Sequence, residues 1–218
     1  MARLNRAGKK RGRNIDTKSV QPGNYLIVTE GTETEVNYFK NLGAKLNELF
    51  HSKIIVEKIS LDIHGTARST KVLVNEAIKK RSLNAYSDVW VVFDRDDNRD
   101  FDEAISLAKK EGMNVAWSNE SFELWLLLHF QTLQSALSRD GYYPRLDSHF
   151  KRLGINNGAY SKNIADIFDI TYPYLDIAIK RSKDLIQFHK ENKVFNPDNM
   201  NPGTTVHTLV EELSSYIK

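Results

Sequence analysis

The 218-residue chain contains no cysteine. Disulfides, thiolate metal sites and cysteine nucleophiles are therefore excluded, and the composition suits a reducing, cytoplasmic compartment. No apolar run approaches the roughly 18 residues that a membrane span requires. The basic N-terminus is not followed by the apolar stretch of a secretory leader, so none is expected. Neither the phosphate-cradling G-x-x-x-x-G-K-S/T loop nor G-x-G-x-x-G occurs, which argues against nucleotide binding by those routes. The six histidines are scattered without ligand spacing, so a zinc site is not expected.

Hydrophobic residues make up 40% of the chain and aromatics 10%, enough to bury a core in one domain or one domain with an appended element. The net charge of +3 hides an asymmetry. Residues 1–20 hold seven basic side chains (Arg3, Arg6, Lys9, Lys10, Arg11, Arg13 and Lys18) and one acid, Asp16, leaving 24 basic and 27 acidic residues elsewhere. Residues 1–22 are expected to be a disordered basic arm ending at Pro22-Gly23. On a mildly acidic body, such an arm suits contact with a phosphate backbone through Arg3, Arg6, Lys9, Lys10, Arg11 and Arg13.

Apolar β-branched runs predict strands at Asn24–Thr29 (NYLIVT), Lys53–Ile63, Asp88–Phe93 (DVWVVF) and Met113–Trp117 (MNVAW). The third is continuously apolar, as in a central strand buried on both faces. Helical spacing predicts helices over residues 33–50, 69–83, 101–111 and 122–130. This alternation argues an α/β domain over residues 23–130, with a mostly parallel four-stranded sheet flanked by helices. Residues 131–218 read as a helical C-terminal extension packed on the same domain, with helices near 144–154, 161–169, 174–191 and 203–217. The helix FELWLLLHF (122–130) is apolar almost all round, which indicates burial in the core.

Strand one runs into Glu30-Gly31, and strand three into Asp94-Arg95-Asp96-Asp97. In an open α/β sheet, ligands bind beyond the carboxyl ends of the strands, so both acidic clusters fall where chemistry is expected. Residues two apart in extended backbone point the same way, which pairs Asp94 with Asp96 and turns Arg95 aside. Gly31 leaves room for a sharp turn and a close approach. Carboxylates gathered at one edge repel unless a cation joins them. Mg²⁺ (or Mn²⁺), which prefers hard oxygen ligands, answers that need and can activate a phosphodiester. Glu123, in the first turn of the helix after strand four, is placed to serve a second metal. His64 and Arg68 follow strand two at the same edge and are candidates for phosphate binding. An EF-hand does not fit, because Arg99 stands where its glycine should be and Ile105 where its glutamate should be.

The segments TEGTETEVNYF (29–39), VWVVFDRDD (89–97), WSNESFELWLLLHF (117–130) and NPGTTVHTLVEEL (201–213), in this order and spacing, resemble the RloB family, also called the AbiLii type of abortive-infection protein. That resemblance implies a Toprim-like, Rossmannoid core. It implies that Glu30 is the acid/base carboxylate and that Asp94 and Asp96 form a metal-binding D-x-D. It makes Glu35 and Glu123 the candidates for a second metal, although Glu35 is five residues after Glu30 where similar domains use a spacing of four. Tyr160-Ser161-Lys162 is similar to a recurring segment of the family, with Lys162 a candidate to contact the scissile phosphate. His207, in the last segment, is expected to be structural. Family context implies an ABC- or AAA-type ATPase partner in phage defence, with RNA or DNA as the substrate. Oligomeric state stays open, a homo-oligomer included. The competing expectation is a catalytically silent Toprim-like subunit that binds nucleic acid or controls the ATPase.

Overall fold

The computed structural model describes residues 24–51, 60–66 and 70–215. The basic arm (Arg3, Arg6, Lys9, Lys10, Arg11 and Arg13) and Arg68 lie outside the described residues.

The chain runs β1 (Asn24–Thr29), α1 (Thr34–His51), β2 (Ser60–Gly65), α2 (Thr70–Arg81), β3 (Asp88–Asp94), α3 (Phe101–Lys110), β4 (Asn114–Asn119) and α4 (Glu123–Phe130). It continues with α5 (Tyr142–Leu153), α6 (Ile167–Thr171), α7 (Leu175–Glu191), β5 (Gly203–Thr204) and α8 (Val206–Ser215), with short 3₁₀ turns between some of these. The five strands form one sheet in the order β2-β1-β3-β4-β5. β1 to β4 are parallel, and β5 adds an antiparallel edge. No described helix is long and apolar enough to cross a membrane.

Side chains alternate across the strands and divide the core between two faces. Tyr25, Ile27, Trp90, Val92 and Ala116 pack against α1, α4 and α8. Leu26, Val28, Val89, Val91 and Phe93 pack against α2 and α3. α1 and α2 thus leave the sheet on opposite faces while β2 and β3 take opposite sides of β1. The carboxyl ends of β1 and β3 therefore flank a topological switch point, where an open sheet leaves a crevice. α4 is buried almost completely, with Leu124, Trp125, Leu126, Leu127 and Leu128 all inaccessible.

Three sequence expectations need correcting. The sheet has five strands, not four, because Gly203 and Thr204 pair with Asn119 and Ser118. This pairing takes the start of the helix expected at 203–217. Thr205 N–H donates to Trp117 O (2.8 Å) and Trp117 N–H donates to Thr205 Oγ1 (3.0 Å), so helix geometry begins only at Val206. The helix expected at 161–169 starts at Ile167. The carbonyls of Lys162 and Ile164 instead accept hydrogen bonds from Thr34 Oγ1 (2.9 Å) and Asn37 Nδ2 (3.2 Å) on α1.

Because α4 is enclosed on all sides, Leu127→Ala should cost about 2–5 kcal/mol of unfolding free energy, read by urea denaturation. A loss well below 1 kcal/mol would show that α4 does not anchor the core.

Candidate functional site

Each acid predicted for the site reaches the same place by a different element. Glu30 follows β1, and its N–H donates to Val92 O (2.9 Å). Asp94 ends β3, and its N–H donates to Glu30 Oε2 (3.2 Å). Glu35 sits in the first turn of α1 and Glu123 in the first turn of α4. With Asp96, these four line a cavity of about 400 Å³, together with Gly31, Glu33, Phe122, Arg139 and Lys162. Of the predicted residues, His64 does not reach this cavity. It pairs with Asp62 (2.8 Å) and meets Lys80 Nζ (3.2 Å).

Asp96 arrives for a different reason from the one the sequence suggested. β3 ends at Asp94, and Asp96 lies in the following turn with φ of +36°, so strand alternation does not orient it. Its N–H donates to Glu120 O (3.0 Å), and its carboxylate pairs with the Arg139 guanidinium. Arg95 turns away, as expected, to Asp198 (2.8 Å).

Two glycines make the close approach possible. A Cβ on Gly31 would lie 1.9 Å from Glu35 Oε2, so the Glu35 carboxylate rests where a side chain would stand. A Cβ on Gly65, at the end of β2, would lie 2.7 Å from both Gly31 O and Thr32 Cα. Gly65 thus lets the turn that carries Glu30 and Glu35 settle against β2; the sequence reading had singled out only Gly31.

Three of the carboxylates are deeply recessed, with Glu123 3%, Asp94 6% and Glu35 7% exposed. Burial penalises the charged form, and neighbouring carboxylates add to that penalty. Burial, then Glu35, Glu123 and Glu30, hold the Asp94 carboxyl well above the usual range. Burial, followed by repulsion from Glu123 and Glu30, pushes Glu35 up to about 7 against the pull of its own backbone N–H and of Lys162. Burial also raises Glu30, opposed by the Asp94 N–H and Asn98. Burial works against the charge on Arg139, but Asp96, Glu123 and Asp94 more than offset it and hold the guanidinium protonated. Tyr160 donates its hydroxyl to Glu123 Oε1 (3.0 Å).

Arg139 and Tyr160 are the site groups that sequence reasoning missed. Tyr160 was legible only as part of the Tyr160-Ser161-Lys162 segment. Arg139 lies on a short 3₁₀ turn between α4 and α5, where no periodicity or motif marks it. The one available signal was an excess of buried acids lacking a countercharge. His207, as expected, is structural: its Nδ1 meets Ser182 Oγ (2.7 Å) inside the fold.

The donor chemistry of the cavity suits a hard divalent cation, since it offers carboxylate oxygens and no thiolate or imidazole. Among the described residues, no three Asp, Glu or His side chains are gathered closely enough to hold a metal as they stand. Repulsion between the acids and the Arg139 pair on Asp96 both act against such a gathering.

The raised Glu35 carboxyl has a definite sign in stability. Folded chains hold a proton up to pH about 7 that unfolded chains release near 4.5, so stability falls as pH rises through that window. Glu35→Gln should flatten the fall in melting temperature between pH 5 and 8 and stabilise the fold at pH 8, by on the order of 2–3 kcal/mol. A melting curve for Glu35→Gln that runs parallel to wild type across this range would show that Glu35 is not the titrating group.

The chain matches a family model described as RloB-like protein over residues 25–213, a span that contains the whole cavity. No curated protein and no solved structure matches it. A match of this extent shows that the chain belongs to the RloB-like protein family.

Proposed function

We propose that the chain is a Toprim-type, metal-dependent nuclease that hydrolyses phosphodiester bonds in RNA or DNA, acting as the effector subunit of an anti-phage defence system with an ABC- or AAA-type ATPase partner. The observation that carries this reading is the convergence of Glu30, Glu35, Asp94, Asp96 and Glu123 on one cavity at the switch point of a mostly parallel sheet. A scaffold has no use for buried carboxylates that repel one another, whereas a metal-dependent hydrolase does.

Asp94 and Asp96, with Glu30, are the residues that would hold Mg²⁺ or Mn²⁺; Glu35 and Glu123 would serve a second ion. Such an ion supplies Lewis-acid polarisation of the phosphodiester and neutralises charge on the leaving oxygen. The chain's own groups do the rest. Glu30, raised by burial, is suited to take a proton from the attacking water and return one to the leaving oxygen. Lys162, at the cavity wall, is placed to offset charge that develops on the phosphoryl oxygens. Phe122 and the recessed floor limit bulk water around the reacting atoms. The basic arm and Arg68 would track the nucleic-acid backbone beyond the cavity.

The competing reading is a silent Toprim-like subunit that controls its ATPase. It draws on one observation: Arg139 already engages Asp96.

One experiment separates the two. The chain, alone and with its ATPase, is incubated with total RNA and plasmid DNA in Mg²⁺ or Mn²⁺. Wild type should cut, Glu30→Gln should lose about 10²–10⁴-fold in rate, and Asp94→Asn should be inactive. Because Asp94 is buried among like charges, Asp94→Asn should also melt higher than wild type at pH 8. No cutting by wild type beyond that of either variant, or defence in cells that survives both substitutions, would favour the silent subunit.

A further inference from the structure

Arg139 is the group in the cavity whose role the proposed reaction leaves open. Its turn, Arg139–Gly141, lies between α4 and α5 and brings a guanidinium to the acidic cavity. The guanidinium pairs with Asp96 and is drawn as well by Glu123 and Asp94. It therefore answers the charge of the same carboxylates that a divalent cation would bridge. Its partner is also the acid that strand geometry does not orient, since Asp96 sits in a turn. The pair is open enough to exchange, with the side chains of Arg139 and Asp96 35% and 32% exposed.

We propose that Arg139 is an internal cation that competes with a divalent metal for Asp96. The inference rests on the metal reading of the cavity. A guanidinium on Asp96 offsets the carboxylate's charge with fixed N–H donors, but it does not draw Asp96, Asp94 and Glu30 onto one coordination centre as a divalent ion would. A metal ion that takes up Asp96 with the other acids has to offset the hold of Arg139 on its Oδ2. Metal affinity is thereby set below what the carboxylates alone would give. Displacement also frees one positive side chain at the cavity mouth, directed at whatever anion enters.

The test is Mn²⁺ binding to the full chain by titration calorimetry, which needs no turnover. Arg139→Gln should bind Mn²⁺ roughly fivefold more tightly than wild type, the change that loss of one partly exposed ion pair corresponds to. Removing a positive charge anywhere nearby also favours a cation, so the decisive comparison is in the Asp96→Asn background. There Arg139→Gln should add markedly less, because the contested carboxylate is gone and only the loss of a nearby positive charge remains. An affinity equal to or weaker than wild type overturns the competition, and so does a gain that is undiminished in the Asp96→Asn background. Should Arg139→Gln fail to fold, Arg139→Met, of similar length and uncharged, takes its place, and any gain smaller than twofold from it counts against the proposal. If Asp94→Asn abolishes Mn²⁺ uptake while Arg139→Gln leaves it unaltered, the metal reading stands and only the competition falls. If no form takes up Mn²⁺, both fall.

Discussion

Burying carboxylates side by side is the constraint around which the rest of this structure is organised. Glu35, Asp94 and Glu123 are almost fully enclosed, and Glu30 and Asp96 stand beside them. An enclosed charge is tolerated only when it is neutralised or hydrogen-bonded. The chain meets that demand piecemeal. Backbone N–H groups of Asp94 and Phe122 serve Glu30 and Asp94. Tyr160 serves Glu123, Lys162 draws Glu35, and Arg139 serves Asp96. Protons held above the usual carboxylate range make up the remainder. The core supplies the rigidity that keeps these groups from drifting apart, through a sheet packed on both faces and a helix, α4, buried from Glu123 to His129.

The sheet topology explains why the acids meet where they do. β1 and β3 are neighbours whose following helices go to opposite faces, so the residues just past their ends look into an open crevice rather than into packed helices. The turn after β1 is held close by two approaches that a side chain would obstruct, the Glu35 carboxylate against Gly31 and the turn's own backbone against Gly65. α1 and α4 then start beside that crevice and each bring one acid in their first turn. There the free N–H groups and the helix dipole favour negative charge, which lowers the cost of holding Glu35 and Glu123 inside.

Much of this was legible in the sequence because it rests on local signals. The runs NYLIVT and DVWVVF are too apolar and too β-branched for anything but buried strands, and their ends place Glu30 and Asp94 at one edge without further knowledge. The reading failed where tertiary pairing overrode local preference. β5 is two residues long, and Gly203-Thr204 has no periodicity to betray it; its pairing with β4, supported by the Ser118 and Thr204 hydroxyls 3.0 Å apart, ties it to the sheet. Residues 161–166 have helical spacing, yet α1 side chains take their carbonyls. Asp96 lies where expected, though a turn rather than a strand puts it there. Arg139 was out of reach because its importance comes from a partner 43 positions away, and nothing in its own neighbourhood reports that.

The order in which these pieces occur along the chain has a consequence for synthesis. All five carboxylates lie between residues 30 and 123, while Arg139, Tyr160 and Lys162 come later and β5 later still. A ribosome therefore releases the repelling groups well before the groups that quiet them. A nascent chain that has emerged only through α4 carries the whole acidic edge with neither of its basic neighbours and with β4 unpaired on its outer side. Stability at this edge arrives in the second half of translation, through contacts of long sequence separation that form slowly. The acidic edge, complete in sequence by α4, thus waits for the groups that neutralise it on residues that are made after it.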